Sequence, residues 1–191
     1  MIFRRAGIEC QPLQLREGSR LDLMTNANVS GSITTSGDYN SSIITSNGAI
    51  LDNMDFNIQK GTKLDINEST IDGLGITSVG ADISIFVLGE AVFDDVSLTE
   101  TNFKLTTWDN DRTAFGATAN LVIRDFKPTD STVDIDVMGS INNQLGMTFK
   151  GTKAKVTSIE INTPLFGVTD GSDVLFYPEF GTPPMIVTGN L

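Results

Sequence analysis

The chain contains no histidine, and this absence removes several kinds of chemistry at once. Imidazole general bases, Ser-His-Asp and Cys-His catalytic arrangements and histidine-based zinc sites all require that residue. The single cysteine, Cys10, excludes an internal disulfide and a metal site built from several thiolates. Catalysis, if there were any, would have to rest on carboxylates, lysines or tyrosines.

Positive charge and long apolar segments are also scarce. The chain has 13 Lys and Arg residues against 24 Asp and Glu residues, which gives a formal net charge of −11. An acidic body disfavours nonspecific binding of nucleic acid. The longest clean apolar run, "ISIFVLG" at 83–89, is far shorter than the roughly 20 residues that span a membrane. The N-terminal residues lack the apolar stretch of a secretory signal, so we expect no membrane partner and no export by that route.

Helix-forming residues are few, whereas strand-forming and turn-forming residues are abundant. Ile, Val and Thr total 52 residues, but Ala, Glu and Lys total only 23. Gly, Ser, Thr and Asn total 69 and are spread along the whole chain, which is typical of many short strands joined by turns. We therefore predict an all-β fold, an antiparallel β-sandwich or jelly roll. The alternative is a β-solenoid, which "SSIITSNGAILDNMDF" suggests, although no constant period supports it.

The word Lys-Gly-Thr-Lys occurs twice, at 60–63 and at 150–153. It lacks the residue order of a phosphate-binding loop, and no helix follows it. The apolar side chains fall on one face of a hairpin when the first copy is given a three-residue loop and the second a two-residue loop. The sequence therefore predicts two unrelated hairpin turns.

Pairs of carboxylates are the candidate general acids and bases for glycoside hydrolysis. Asp94 and Asp95 are neighbours, so a regular strand would point them to opposite faces. Asp134 and Asp136 share a face, with Val133, Ile135 and Val137 on the other face, which indicates an ordinary amphipathic strand. No convergent cluster results, so we predict that the chain is not an enzyme and uses no cofactor.

The only tryptophan lies beside the most polar turn, "WDNDRTAFG" at 108–116. This turn lacks the sixth-position glycine and twelfth-position glutamate of a calcium loop, and no metal site is predicted. A glycan-binding surface needs an exposed aromatic side chain close to carboxylates and amides. The candidates for such a surface, in an alternative reading as a carbohydrate-binding or adhesin module, are Trp108, Asp109, Asn110 and Asp111.

Two terminal arms flank the predicted domain, which spans residues 21–180. Residues 1–20 carry four arginines and only two glutamates, so this arm could dock on an acidic neighbour. Residues 181–191 end a stretch rich in proline and aromatic residues, which favours an extended segment or a sheet edge. The residues predicted to make assembly contacts are Ile2, Phe3, Arg4, Arg5, Arg16, Arg20, Phe176, Tyr177, Phe180, Pro183 and Pro184.

This acidic, all-β composition, rich in Thr, Asn, Ser and Gly and without an enzyme signature, resembles virion structural proteins of tailed bacteriophages. The resemblance lies in the composition of the whole chain, and no sequence motif supports it. It implies a capsid, cement or decoration protein, or a tail component, which would be assembled in the host cytoplasm and located in the virion. Its partners would be other copies of itself and other virion proteins, joined through arms and strand edges.

Overall fold

A computed structural model describes residues 2–3, 7–16, 18–36, 42–107, 119–178 and 186–190 of the chain. These residues form eighteen β-strands, and no helix occurs among them. The all-β prediction is therefore confirmed. The strands are β1 Ile2–Phe3, β2 Gly7–Leu15, β3 Arg20–Leu23, β4 Asn28–Thr35, β5 Ile43–Asn47, β6 Ile50–Ile58, β7 Lys63–Asn67, β8 Thr70–Val79, β9 Asp82–Phe86, β10 Ala91–Thr99, β11 Asn102–Thr106, β12 Ala119–Thr129, β13 Thr132–Asp136, β14 Gly139–Lys150, β15 Lys153–Ser158, β16 Glu160–Thr169, β17 Asp173–Pro178 and β18 Ile186–Asn190.

The strands alternate between two nine-stranded sheets. The odd-numbered strands form one sheet, called here the odd sheet, in the order β1-β3-β5-β7-β9-β11-β13-β15-β17. The even-numbered strands form the other, the even sheet, in the order β18-β16-β14-β12-β10-β8-β6-β4-β2. Neighbouring strands in both sheets are parallel. The fold is a β-solenoid of about seven turns, so the prediction of an antiparallel sandwich or jelly roll was wrong and its rival was correct.

Parallel strands normally need a long connection to return to the start of the next strand. Here the strand of the opposite sheet supplies that return path, so no helix is needed. The scarcity of helix-forming residues is therefore compatible with parallel sheets. Successive register partners in the odd sheet lie 20 residues apart from Ile43 to Lys63, 19 from Lys63 to Asp82, 20 from Asp82 to Asn102 and 30 from Asn102 to Thr132. This uneven spacing explains why no constant period was visible in the sequence.

The core is a stack of inward-facing side chains, because alternation along each strand points every second side chain inside. Four phenylalanines continue this stack with ring-centroid distances of 5.8 Å for Phe103–Phe126, 5.8 Å for Phe126–Phe149 and 5.6 Å for Phe149–Phe166. Tilted and edge-on contacts of this kind stabilise aromatic pairs beyond the area they bury. One inward column of the odd sheet is no more than 6% exposed at any of Leu21, Ile44, Leu64, Ile83, Phe103, Val133 and Ala154.

The two Lys-Gly-Thr-Lys words lie at the same kind of corner, where an even strand ends and the next odd strand begins. The first joins β6 to β7 and the second joins β14 to β15, so each links two different sheets. The hairpin interpretation was therefore wrong. Gly61 and Gly151 adopt φ angles of 79° and 57°, which glycine adopts without steric cost. Glu100 and Asp130 take the same left-handed conformation at intervening corners, and for this reason the corner has no sequence consensus.

A ladder of buried hydroxyl groups runs along this corner. The hydroxyls of Ser78 and Thr101 share a hydrogen bond of 2.8 Å. The Thr101 amide donates to Ser131 Oγ at 3.1 Å, and the Ser131 amide donates to Thr152 Oγ1 at 3.4 Å. Since a buried amide without a partner is costly, these hydroxyls let the chain turn inside a dry interior. The need for hydroxyl groups at these corners therefore accounts for part of the high Ser and Thr content of the chain.

The segments predicted to be terminal arms also contribute strands. β1 pairs with β3, and β2 pairs with β4 over seven residue pairs. At the other end β18 pairs with β16. The division of the chain into a domain and two arms stays a prediction.

Candidate functional site

The even sheet is bent in the middle of its strands, and a polar depression lies beside the bend. Gly31, Asn53 and Gly73 have φ angles of 100°, 48° and 77° in three successive even strands. Glycine and asparagine tolerate this left-handed conformation better than other residues. The strands therefore turn a corner without leaving the sheet.

Just beyond the bend lies a groove of about 400 Å³, called here the bend groove. It crosses five neighbouring strands, from Ser32 on β4 to Arg124 on β12. Four spacings of about 4.8 Å give a length of roughly 19 Å across the strands. The polar side chains along it belong to Ser32, Asp55, Asn57, Thr77, Asp94, Asp95 and Arg124.

Gly75 forms the floor of the bend groove. It is the register partner of Asp55, and a Cβ atom at position 75 would lie 2.2 Å from Asp55 Oδ1. Real Cβ atoms do not approach oxygen so closely, so the carboxylate lies in space that exists only because residue 75 is glycine. Replacing this glycine would displace Asp55 and fill the groove.

A β-bulge brings two consecutive carboxylates to the same groove. Phe93 pairs with Leu74 and Val96 pairs with Ile76, so Asp94 and Asp95 together oppose the single residue Gly75. Two residues facing one is the definition of such a bulge. The expectation that Asp94 and Asp95 point to opposite faces held for a regular strand and fails here. Sequence reasoning missed this site because a bulge leaves no reliable mark in the sequence.

The electrostatics of the bend groove are acidic, with one guanidinium among three carboxylates. Arg124 Nε lies 3.9 Å from Asp95 Oδ1, and the two side chains are 53% and 59% exposed. Nearby, pairing with Asp125 raises the pKa of Lys127. The exposed Arg124–Asp95 pair contributes little to stability, so both side chains can exchange that contact for a ligand.

The bend groove does not provide the setting that glycoside hydrolysis needs. A general acid in that reaction is usually surrounded by apolar groups that keep it protonated, whereas Asp95 is largely exposed. Within the described parts of the chain, no group of three or more Cys, Asp or Glu residues is arranged to hold a metal ion. The bend groove offers hydrogen bonding through carboxylates, an amide, hydroxyls and a guanidinium.

Asp134 and Asp136 lie on the outer face of the odd sheet, and Val133, Ile135 and Val137 are at most 2% exposed. The prediction of an amphipathic strand is confirmed. A shallower pocket of about 330 Å³ lies on the same face, beside Ser84, Lys104 and Asp134. Its lining is provided largely by the aliphatic parts of neighbouring side chains. Seven polar or charged residues line each of the two depressions, but this pocket exposes less polar surface than the bend groove.

Of the residues predicted to make assembly contacts, those that the structure describes lie in the first and last coils of the described solenoid. Ile2 and Phe3 form β1, and Arg16 is exposed at the first corner. Arg20 Nε lies 2.9 Å from Asp22 Oδ2, and this hydrogen bond, with a second from Thr45, lowers the pKa of Asp22. Arg4, Arg5, Phe180, Pro183 and Pro184 lie outside the described residues.

Phe176 and Tyr177 lie on β17, the last strand of the odd sheet. The Phe176 ring is 5.2 Å from that of Phe166 and ends the aromatic stack, while Tyr177 points outward and is 44% exposed. Lys155 Nζ lies 5.6 Å from the centre of the Tyr177 ring, within the range of a cation–π contact. Tyr177 is thus an exposed aromatic residue near the C-terminal end.

The alternative glycan cluster, Trp108, Asp109, Asn110 and Asp111, also lies outside the described residues. Its position in the chain is informative nevertheless. It belongs to the 30-residue coil between Asn102 and Thr132, whereas the flanking coils have 20 and 21 residues.

Comparison of the chain with models of protein families, with curated proteins and with solved structures found no match. In the described ranges, no helix is long and apolar enough to cross a membrane. Function must therefore be argued from the solenoid and its surfaces.

Proposed function

We propose that this chain is a non-enzymatic carbohydrate-binding module, of the kind used in adhesion, which holds an extended polysaccharide in the bend groove. The observation that carries the proposal is the row of polar side chains along that groove, spread over five strands. A parallel sheet repeats similar groups at a spacing of about 4.8 Å, which suits a polymer of similar units. We therefore propose the bend groove as the carbohydrate site, whereas the sequence predicted a glycan surface around Trp108.

The charge of the bend groove selects among saccharides. Carboxylates accept hydrogen bonds from sugar hydroxyls, and Arg124 can donate to ring or hydroxyl oxygens. Three aspartates and a formal net charge of −11 would repel uronic acids, sulfated glycans and nucleic acids. A neutral or amino-bearing polysaccharide is therefore the expected ligand class.

The test is binding to a panel of neutral, amino-bearing and anionic glycans, measured by glycan array and titration calorimetry. The double variant Asp55→Ala, Asp95→Ala should weaken binding of the preferred glycan at least tenfold, because each aspartate supplies hydrogen bonds to the ligand. The matched control is Asp65→Ala, Asp72→Ala, which removes two carboxylates outside the groove and should bind normally.

Circular dichroism and thermal melting establish that both double variants stay folded. The proposal is wrong if no neutral or amino-bearing glycan binds. It is equally wrong if the control variant loses as much affinity as the groove variant. Binding confined to anionic glycans would contradict the electrostatic argument.

A second candidate function is that of a structural subunit in a repetitive assembly, such as a virion protein. The observation that favours it is the apolar character of the C-terminal end, where Leu165, Val168 and Leu175 are 50%, 45% and 48% exposed. Exposed apolar patches commonly mark contact surfaces. Electron microscopy of the purified chain should then show regular multimers, and a field of single particles only would contradict this role.

A further inference from the structure

The bend groove runs across the strands, and this direction limits the shape of a ligand that fills it. Its polar residues come from β4, β6, β8, β10 and β12, which are consecutive neighbours in the even sheet. Neighbouring strands lie about 4.8 Å apart, so the groove offers polar groups at a nearly constant interval along one direction. A ligand that follows this direction must be extended and must repeat its own hydrogen-bonding groups at a similar interval.

One polar side chain of the groove leans away from the strand that carries it. Asp55 belongs to β6, but its Oδ1 atom occupies the place that a Cβ atom would take at Gly75 on β8. The carboxylate therefore stands over the neighbouring strand. It can do so only because residue 75 has no side chain.

This lean changes the spacing between the acidic groups of the groove. Asp94 and Asp95 on β10 face Gly75 from the other side, so β8 separates their backbone from that of Asp55. Because the Asp55 carboxylate stands over β8, it lies about one strand spacing from β10 instead of two. The acceptor oxygens of Asp55 and of the Asp94–Asp95 pair therefore follow the interval of the other polar groups in the groove.

Extended glycans match this interval, whereas curved ones do not. In an extended β-linked chain each pyranose ring advances by close to one strand spacing, and its hydroxyl groups lie along both edges of the chain. Carboxylate oxygens accept hydrogen bonds from such hydroxyls. An α-linked glucan curves instead, so its hydroxyls leave a row of fixed acceptors after a few rings.

We propose that the bend groove selects extended, β-linked oligosaccharides of about five rings, one for each strand that it crosses. Gly75 determines this selectivity by placing the Asp55 carboxylate. Selectivity of this kind rests on the proposed carbohydrate-binding function and adds the linkage, the length and the orientation of the ligand. The glycan lies across the strands between Ser32 and Arg124, and hydroxyls of its central rings donate to Asp55 and to the Asp94–Asp95 pair.

The linkage is tested by titration calorimetry of the full chain with four hexamers. Cellohexaose, mannohexaose and chitohexaose are β-linked, and maltohexaose contains the same glucose units as cellohexaose in α linkage. At least one β-linked hexamer should bind at least tenfold more tightly than maltohexaose. A smaller preference overturns the inference, and so does failure of all three β-linked hexamers to bind. The proposed function survives either result if a glycan of the wider panel still binds and the groove variant loses it.

A length series of the β-linked glycan that binds best tests the number of rings. Affinity should rise at least tenfold from the dimer to the pentamer, because each added ring reaches the polar groups of another strand. It should change little from the pentamer to the hexamer, because the polar lining ends at Arg124. A dimer that binds as tightly as the hexamer contradicts the assignment of one ring to each strand.

The role of Gly75 is tested by moving Asp55 without replacing any polar residue. Gly75 is not one of the glycines with a left-handed backbone, so alanine suits its conformation and the added methyl group displaces the Asp55 side chain. Gly75→Ala should weaken binding of the best β-linked hexamer at least tenfold. The matched control is Gly146→Ala on β14, outside the groove, where an added Cβ atom would lie 3.4 Å from Leu165 Cβ, an ordinary contact. This control should bind normally.

A double-mutant cycle distinguishes positioning of Asp55 from a simple loss of room in the groove. Asp55→Ala removes the carboxylate that Gly75 accommodates, so adding Gly75→Ala to it should cost no further affinity. Thermal melting establishes that the single and double variants are folded. If Gly75→Ala weakens binding as much beside Asp55→Ala as it does alone, Gly75 does not act through Asp55 and the inference is wrong.

Discussion

The middle and the C-terminal end of this solenoid are built from the same register columns but differ in how those columns are covered. Phe126 in the middle is fully buried between Phe103 and Phe149, whereas Phe176 contacts one ring, that of Phe166, among the described residues. The same residue type is therefore fully enclosed in the middle and only partly buried in the last described odd strand.

The comparison shows where a solenoid can carry function without loss of stability. Each coil contacts only its neighbours, so stability is approximately a sum of local terms. A change in the middle breaks two interfaces, and a change at the end breaks one. Exposed ends and grooves can therefore vary while the stack remains intact.

The largest contrast should come from truncating the stacked phenylalanines. Phe126→Ala should lower the free energy of unfolding by about 3–5 kcal/mol, since it leaves a cavity between two coils. Phe176→Ala should lower it by only about 1–2 kcal/mol, because that side chain is partly exposed in the folded state. Urea denaturation measures both values. Equal losses would show that the end is covered as fully as the middle.

Two glycines give a smaller contrast of the same kind. Gly139 has a φ of 150°, and a Cβ atom there would lie 1.9 Å from the Ala119 carbonyl oxygen in the preceding coil. Gly139→Ala should therefore cost about 3 kcal/mol or more by forcing the backbone apart. Gly171, at the last corner, has a φ of 73° and nothing within 4 Å of an added Cβ.

Gly171→Ala should cost only about 1–2 kcal/mol, from the left-handed backbone alone. Thermal melting of the two variants beside the unmodified chain provides the measurement. Should Gly171→Ala be the more damaging change, the last corner would have to be packed against something that the described residues do not include.

The smallest effect concerns the first coil, at the opposite end from β17. Arg20 and Thr45 hydrogen-bond Asp22 and lower its pKa, so the ionised form is favoured in the folded chain. This stabilisation is fully present above the unfolded pKa of about 3.9 and is lost as the pH falls through the lower folded value. The deficit of Asp22→Asn relative to the unmodified chain should therefore be largest near neutral pH and shrink below about pH 4.

Urea denaturation at a series of pH values measures this deficit. Thr45→Val is the companion variant, because it removes one hydrogen bond and keeps both charges. Its pH-dependent loss should be smaller than that of Asp22→Asn. A deficit that does not change with pH would mean that the ion pair contributes nothing to folding.

The sequence indicated many short strands joined by turns, but it did not show how the strands pair. Residues 69–75 look like a turn in the sequence, yet residues 70–75 begin the ten-residue strand β8. Alternating residues such as Thr132–Asp136 bury one face in a sandwich and in a solenoid alike. The corners gave no consensus either, since Gly61, Glu100 and Asp130 all adopt the same left-handed turn. The 30-residue spacing between Asn102 and Thr132 interrupts the repeat of about 20 residues that the neighbouring coils show.

The candidate site was less predictable than the fold. Asp94 and Asp95 were noticed as a pair, but a regular strand would have separated them. Their convergence depends on the bulge opposite Gly75, and the groove depends on the missing side chain of that glycine. No single one of these residues indicates a bulge or a groove in the sequence.

The sequence by itself determined that the protein is built from β-strands, is strongly acidic and lacks the histidines and thiolates of many active sites. Those properties follow from composition and local alternation, which act over a few residues. Only the tertiary structure decided that the strands stack in parallel coils, that Asp55, Asp94 and Asp95 meet across Gly75, and that Phe103, Phe126 and Phe149 stack in successive coils. Contacts between residues about twenty positions apart decide these features, and local pattern does not specify which coil lies next to which.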